Sequence, residues 1–531
     1  MTTAPFFNAC DYLLDRHIRA GRGDRLALTG VAGDVSYAEL AGRVARAARG
    51  LRGLGLQAEQ RVVMVMADSP EFVIVYLAAM RIGVVPVPVS TMLRADGIAE
   101  ILADSRARVV AVSAAYRDVV AGALGFPAVT EVMAVVTDDA GEPVAGLPTT
   151  ALGELTADTP DEIYPTTADS PAFWLYTSGT TGTPKGAMHR HGSVRVVCET
   201  YGTQVLGITP EDRCLSAAKA FFAYGLGNSV LFPMSVGAAA VLEPSPSRPD
   251  IMAERAGTHA PTLFFAGPTF FSGMLRAALP ADALAGVRLA ASAGEALPAA
   301  LYQRWTSRFG IDILDGIGMT EMLHIFLSNR PGQVRAGTTG VAVPGYDLRV
   351  LGEDGLEVPP GTPGTLFVRG ESAATGYWSR YDASRQVFQG EWLRTGDTYV
   401  VDADGYYSCL GRTGDMLKAS GIWVAPAEVE SRLLDHAEVA QAVVVAAADA
   451  DGLEKPVAFV QLNPGGAADE ETLIGFCKTG LPSFKRPRRI VFVTEYPTTA
   501  TGKIRRVELR AQAAVILQGK PGPAPADKVP S

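Results

Sequence analysis

The sequence predicts an α/β protein: a large N-terminal domain of βαβ-type parallel sheets with a small β-subdomain, followed by a small α+β C-terminal domain. Three observations carry that expectation. Before Gly340, strand-length apolar runs alternate with helix-period segments, the pattern of parallel sheets covered on both faces. From Gly340 to Val400 the texture changes to short strands separated by Gly and Pro turns. From Pro426 a new series of helices and strands begins, and a chain of 531 residues exceeds what one core organises.

Taken in order, Leu13, Leu14, His17 and Ile18 share a helical spacing near the N-terminus. Ser36 stands three residues before Glu39, a capping box that opens an Ala/Arg-rich helix to about Leu54. Arg61–Met66 reads as a buried strand and Pro70–Ile82 as a helix. Val84–Val89 and Val109–Val112 read as strands, with a helix from about Ala95 between them. The acidic, turn-rich residues 137–170 are expected to form a surface excursion. Alternation then resumes with a helix over Ser193–Tyr201, a strand at Arg213–Leu215 and a helix starting near Asn228. Strands are expected at Ala238–Leu242, Leu263–Phe265 and Leu289–Ala291, then at Leu348–Leu351 and Gly364–Val368. Asp404-Gly405 marks a hairpin turn. In the C-terminal unit, helices are expected over Pro426–Leu434 and Asp469–Thr479, and strands over Val439–Ala447, Val457–Leu462 and Arg489–Phe492. The Pro/Gly-rich residues 519–531 are expected to be disordered.

Bulk properties narrow the class. Hydrophobic residues at 48% and charged residues at 19% suit a soluble globular chain with large cores. A net charge of −9 argues against a nucleic-acid partner, which would call for a basic stripe. The five cysteines are scattered, and none forms a C-x-x-C pair, so buried free thiols in a reducing compartment are expected. No basic stretch followed by an apolar run opens the chain, and no apolar run reaches membrane-span length. A cytoplasmic protein with no membrane partner is expected.

One stretch organises the chemistry. Phe173-Trp174-Leu175-Tyr176 reads as a buried strand end, and Thr177-Ser178-Gly179-Thr180-Thr181-Gly182-Thr183 follows, closed by Pro184-Lys185-Gly186. Glycines let successive N–H groups converge on an anion, while the hydroxyls and Lys185 add donors and charge. That is the chemistry of a polyphosphate cradle, although Ser/Thr/Gly clusters are more often solvated loops. The P-loop of NTPases does not fit, because Pro184 interrupts the G-x-x-x-x-G-K spacing and Gly186 follows Lys185. The string resembles the phosphate-binding loop of the adenylate-forming superfamily, which includes acyl-CoA synthetases, luciferases and peptide-synthetase adenylation domains.

Four further strings match that superfamily in order, and the resemblance covers roughly residues 30–510. Asp315-Gly316-Ile317-Gly318-Met319-Thr320-Glu321 offers a hydroxyl for a phosphate at Thr320 and a carboxylate for Mg²⁺ at Glu321. The resemblance implies that Asp315 accepts from the adenine amino group. It also implies that Gly294 and Glu295, within Ser292–Pro298, line the adenine face and the acyl pocket. Trp392-Leu393-Arg394-Thr395-Gly396-Asp397, with Gly411-Arg412 after it, places a carboxylate on a tight turn where it can accept from both ribose hydroxyls. Pro497-Thr498-Thr499-Ala500-Thr501-Gly502-Lys503 matches the string whose lysine is the main electrostatic catalyst of adenylation. Only nine lysines occur in the chain, which sets Lys185 and Lys503, each in a glycine turn, apart from surface filler.

The resemblance implies two half-reactions, in which acid and ATP give an acyl-adenylate and pyrophosphate and a thiol then captures the acyl group. It also implies that the small domain is mobile and rotates between them. On this basis residues 1–411 form the large domain, 412–414 the hinge, 415–518 the small domain and 519–531 a tail. The family hinge residue is usually Asp or Lys, and here it is Gly414, followed by Asp415.

For the substrate, Phe221–Asn228 and Gly318–Phe326 resemble benzoate-CoA ligases in particular. By that likeness Ala223, Tyr224, Ala293, Gly318, His324 and Ile325 line a compact, flat pocket, and small residues beside aromatic and apolar walls suit a ring. His324 is expected to hydrogen-bond the pocket edge or the substrate carboxylate, with Lys418 a second candidate for that carboxylate. A benzoate-like aryl acid is expected, with hydroxy- or amino-substituted benzoates as close competitors. Ser420 and Gly421 match the segment that faces pantetheine, so coenzyme A is the expected acceptor; an acyl carrier protein arm presents the same thiol. ATP and Mg²⁺ complete the set, and the assembly is expected to be a monomer or homodimer. A catalytically silent adenylate-binding regulator would lack Lys503, Glu321 or Thr320, and all three are present.

Overall fold

The computed structural model describes residues 5–139, 143–155, 162–178, 183–412, 414–415, 417–419, 422–448, 454–498 and 504–517. Two parallel sheets organise the N-terminal part, as the alternating pattern requires. In the larger, of nine strands, Leu26–Gly30, Ala239–Leu242, Arg213–Ser216, Leu263–Ala266, Leu289–Ser292 and Ile313–Gly318 run parallel in that order. Antiparallel strands close both edges: Val35–Ser36 on one side, Ile325–Ser328 and Val341–Ala342 on the other. The second sheet is all parallel, in the order Val85–Pro88, Arg61–Val65, Val109–Val112, Ala134–Thr137, Thr149–Ala151.

The helix Pro70–Arg81 shows why these layers pack. Every residue but Glu71 is buried, as expected of a helix apolar all round and covered on every side. Its neighbour Tyr37–Gly53 starts as the sequence indicates, with the Ser36 hydroxyl accepting from Glu39 N–H at 3.2 Å. Together they join a core that includes Tyr37, Tyr76, Phe173 and Phe232.

Several expectations are corrected. Residues 137–170 are not only a surface excursion, because Thr149–Ala151 extends the second sheet and Val144, Leu152 and Leu155 are buried. Polar composition hid a short edge strand that needs few apolar contacts. The helix expected over Ser193–Tyr201 runs over His191–Val197 and continues with π geometry to Val205. The one expected near Asn228 begins at Ala223 and passes through a π turn, Gly227–Leu231, before Phe232–Val236. Helices over Pro249–His259, Pro268–Arg276, Ala299–Phe309 and Arg506–Leu517 and a strand over Pro184–Arg190 lie beyond what the pattern indicated.

The β-subdomain is an antiparallel sheet of Asp347–Leu351, Gly364–Arg369, Phe388–Gln389, Trp392–Val401 and Tyr407–Arg412. Its Asp404-Gly405 turn has Gly405 at φ +82°, as the hairpin signal requires. From Leu417 onward the chain builds cores of its own around the sheet Val439–Ala448, Glu454–Leu462, Arg489–Phe492. Two hydrogen bonds join this unit to the helix Pro268–Arg276: Arg276 to Gln461 at 2.9 Å, and Gln441 to Thr269 at 3.3 Å. The five cysteines are free, and all but Cys409 are buried. Among the described residues no helix is long and apolar enough to cross a membrane.

Candidate active site

A cavity of ≈ 1040 Å³ opens over the carboxyl ends of the parallel strands of the larger sheet, where α/β sheets hold ligands. Lys219, Pro244, Gly267, Ala293 and Met319, each one to three residues beyond a strand end, line it. Of the residues singled out in the sequence, Thr177, Ala223, Tyr224, Ala293, Gly294, Glu295, Gly318, Thr320, His324, Ile325 and Arg412 share its wall. Lys185, Asp315, Glu321 and Asp397 are not among its lining residues.

The phosphate-loop string is the head of a hairpin. Pro171–Ser178 pairs antiparallel with Pro184–Arg190, with Thr177 opposite Lys185 and Ser178 opposite Pro184. Gly179, Thr180 and Thr181 lie outside the described residues. Beside the hairpin, Thr320–Met322 forms a single 3-10 turn after the strand Ile313–Gly318. His189 ties the two together: its Nε2 lies 2.9 Å from the Thr320 carbonyl while the ring stacks on Phe173 at 5.0 Å. Burial lowers its pKa to about 4, so it serves as a neutral donor. Glu321 is buried, and one carboxylate oxygen accepts from the Tyr377 hydroxyl. A lone carboxylate fits a hard cation that brings water and substrate phosphates as its other ligands.

The next residue, Leu323, has φ +67° and ψ −45°, and His324 N–H bonds back to the Met322 carbonyl at 2.8 Å. This γ-turn with positive φ is strained for a branched side chain. It aims His324 into a box of rings: Phe232 at 4.5 Å, Tyr201 at 5.4 Å and Tyr224 at 5.5 Å between centroids. Burial lowers the imidazole pKa to about 3, so the ring is neutral. Nε2 stands 3.3 Å from the Tyr224 carbonyl, which assigns the proton to Nε2. Nδ1, a lone-pair acceptor, has no partner among the described residues. Two glycines make this approach feasible. A β-carbon on Gly227 would overlap His324 Cδ2, and one on Gly318 would stand 2.5 Å from the His324 carbonyl oxygen. The Tyr224 hydroxyl donates to Ala291 O at 2.8 Å, which leaves its ring as the wall.

At the other end, the expected tight turn is corrected: Asp397 lies within the strand Trp392–Val401, where the pairing register shifts and Gly396 takes φ +76°, and its N–H is held by the Thr395 hydroxyl at 3.1 Å. Arg412, opposite it in the sheet, pairs through Nε at 3.0 Å and donates to Thr395 O at 3.2 Å. Arg412 is thus the last residue of a strand. Asp315 is buried, which drives its carboxyl well above the usual carboxylate range; its Oδ1 has no partner among the described residues. An amino donor there would satisfy that oxygen. Glu295 accepts from Thr269 at 3.1 Å. Ser420, Gly421 and Lys503, and the side chain of Lys418, lie outside the described residues.

Comparison with known proteins accounts for this assembly. The AMP-binding enzyme family model matches residues 14–378, and the AMP-binding enzyme C-terminal domain matches residues 428–503. The chain belongs to the AMP-binding enzyme family. The enzyme is 44% identical to a benzoate–CoA ligase of Thauera aromatica, over 95% of this chain and 96% of that one. It is 42% identical to a 4-hydroxybenzoate–CoA/benzoate–CoA ligase of Rhodopseudomonas palustris (strain ATCC BAA-98 / CGA009), over 95% and 94%. Among solved structures, the anthranilate CoA ligase AuaEII in complex with anthranoyl-AMP superposes with a TM-score of 0.90 at 36% identity, covering 96% of this chain and 98% of that one.

Sequence reasoning passed over several residues of the enzyme that hold the site together. His189 and Tyr377 carry no chemistry-bearing motif in one dimension, and only folding brings them to Thr320 and Glu321. Asp68 is another. Its buried carboxylate accepts from Ala220 N–H at 3.1 Å, beside Lys219, and burial raises its pKa to about 6. It anchors the segment that leads to Phe221, Phe222 and Ala223. The signal that could have found it was a lone acid in an otherwise apolar run, Val62–Met66 followed by Asp68.

Proposed function

We propose that the enzyme condenses a benzoate-like aryl acid with ATP to give an aroyl-adenylate and pyrophosphate, then passes the aroyl group to the thiol of coenzyme A. The observation that carries it is the pocket beside Thr320. The small residues Ala223, Ala293 and Gly318 share the wall with Tyr224, His324 and Ile325, on the same cavity as Thr177 and Arg412, a lining that suits a ring. The full-length likeness to aryl-CoA ligases supports the same substrate class.

In the first half-reaction the carboxylate oxygen bonds to the α-phosphorus and the bond to pyrophosphate breaks. The loop between Thr177 and Lys185 holds the departing phosphates, Asp315 and Asp397 hold adenine and ribose, and Lys503 stabilises the charge that develops on the phosphoryl oxygens. Mg²⁺, held by Glu321 and the phosphates, supplies further charge neutralisation when bound. In the second, the thiol sulfur bonds to the acyl carbon, AMP departs and the thiol proton passes to solvent. Rotation about Gly414 brings the Ser420-Gly421 segment forward for this step. The His324 Nε2 proton is directed at the Tyr224 carbonyl, and Lys418 is the second candidate for the substrate carboxylate.

The unpartnered Nδ1 of His324 favours a second reading, because a ring hydroxyl or amino group would give it a donor. A panel of benzoate, hydroxybenzoates, aminobenzoates and medium-chain fatty acids, with ATP, Mg²⁺ and coenzyme A, tests both readings by pyrophosphate release. Aryl acids are expected to turn over fastest, and faster turnover of the fatty acids would overturn the proposal. Supplying coenzyme A and a carrier-protein arm separately identifies the thiol by the thioester formed.

Gly227→Ala tests the pocket itself. The added methyl meets an imidazole that Phe232, Tyr201 and Tyr224 prevent from retreating. Overpacking of this kind costs about 1–3 kcal/mol, so KM for the acid is expected to rise about tenfold or more while KM for ATP holds. Varying each substrate in turn checks it.

A further inference from the structure

The hairpin that carries the phosphate loop does not end at its own two strands. Residues 374–378 lie along its free edge: Thr375 N–H donates to Met188 O at 2.9 Å, Met188 N–H to Gly376 O at 3.0 Å and Trp378 N–H to Gly186 O at 2.9 Å. On its other side the same segment holds the turn of Thr320–Met322, with Ala374 N–H donating to Glu321 O at 2.7 Å. Downstream it is anchored on Asp104, which accepts from Trp378 Nε1 at 2.9 Å through its carbonyl and from Arg380 at 2.7 Å through its carboxylate.

Tyr377 is the side chain that this segment aims inward. Only 7% exposed, its ring is packed edge-on against Phe388 at 5.5 Å and beside Ala187 and Ala374. Its hydroxyl donates to a carboxylate oxygen of Glu321, and the ammonium of Lys185 stands 5.6 Å from the centre of the ring. An ammonium at that distance from a phenol face is attracted by the ring quadrupole. One aromatic ring therefore touches a cation of the phosphate loop at its face and the metal carboxylate at its oxygen.

We propose that Tyr377 is a positioning residue that fixes the Glu321 carboxylate for the divalent cation and ties it to Lys185, so that metal and polyphosphate meet one preset unit. This rests on the assignment of Glu321 to the metal. The hydroxyl restrains one carboxylate oxygen and leaves the other for the cation, which is how a hydrogen bond behind a metal ligand orients it. The ring does separate work, holding Lys185 over the hairpin whether or not a cation is present.

Tyr377→Phe keeps the ring and removes only the hydroxyl, while Tyr377→Leu removes both. Binding of Mn²⁺ to the enzyme with α,β-methylene-ATP, followed by electron paramagnetic resonance, is expected to weaken about tenfold in Tyr377→Phe. Binding of the analogue alone and thermal melting should stay at wild-type values, and excess Mg²⁺ should restore kcat. Tyr377→Leu should in addition weaken metal-free binding of the analogue. Glu321→Gln separates the two levels of the argument. If it leaves Mn²⁺ affinity unchanged, the assignment of Glu321 fails; if it weakens Mn²⁺ and Tyr377→Phe does not, the positioning role alone is overturned. Equal losses of Mn²⁺ and metal-free analogue in Tyr377→Phe would also overturn it, because they would show general damage to the site.

Discussion

Lys503→Ala is expected to slow pyrophosphate release by about 10²–10³-fold, the scale for losing one preorganised charge donor at a developing anion. Capture of pre-formed aroyl-adenylate by coenzyme A should stay near the wild-type rate. Of the described residues on either side of Lys503, Thr498 and Ile504 form an isolated antiparallel bridge, and Arg505 N–H closes onto Pro497 O at 2.8 Å. Rapid quench with labelled ATP measures the first half-reaction, and synthetic aroyl-adenylate isolates the second. Loss of both half-reactions by the same factor would remove Lys503 from the adenylation step.

Asp397→Ala is expected to raise KM for ATP about 10- to 100-fold, since a hydrogen bond to a charged group is worth about 1.5–3 kcal/mol. The wild-type carboxylate is preset by the strand irregularity at Gly396, the Thr395 hydroxyl and Arg412, so it pays little reorganisation on binding. Removing it also leaves Arg412 without that carboxylate. A sharper readout is the preference for ATP over 2′-deoxy-ATP, which the variant should lose. If wild type and variant discriminate the two equally, the ribose role of Asp397 is wrong.

Strands of the larger sheet could be read from the chain because both faces are covered, which makes each a continuous apolar run such as Leu263–Ala266. The helices at Pro249–His259 and Ala299–Phe309 could not. Each fully buries only two residues, Met252 and Ala256 in one and Leu301 and Trp305 in the other, so few apolar letters mark an inner face. At the site, strings rich in Gly, Thr, Glu and Asp stood out in the chain because few residue types suit phosphate and cation chemistry, and the fold brings Thr177, Thr320 and Arg412 to one cavity. Tyr377 and His189 were not, since each acts only through a residue 56 or 131 positions away in the chain. The π turn at Gly227–Leu231 was equally hidden; its glycine matters because of an imidazole nearly a hundred residues later.

The turn at Leu323 bears on how such an enzyme can diversify. Because the positive-φ backbone fixes where residue 324 leaves the main chain, the placement of that side chain is encoded separately from its identity. The letter at 324, and with it the donors and acceptors presented at the cavity wall, can then be exchanged without redesigning the scaffold around it. Leu323, which itself lines the cavity, is then the costlier residue to change. In a library built to alter acid preference, holding 323 and varying 324 together with 227 would keep most members folded while the recognition chemistry is sampled.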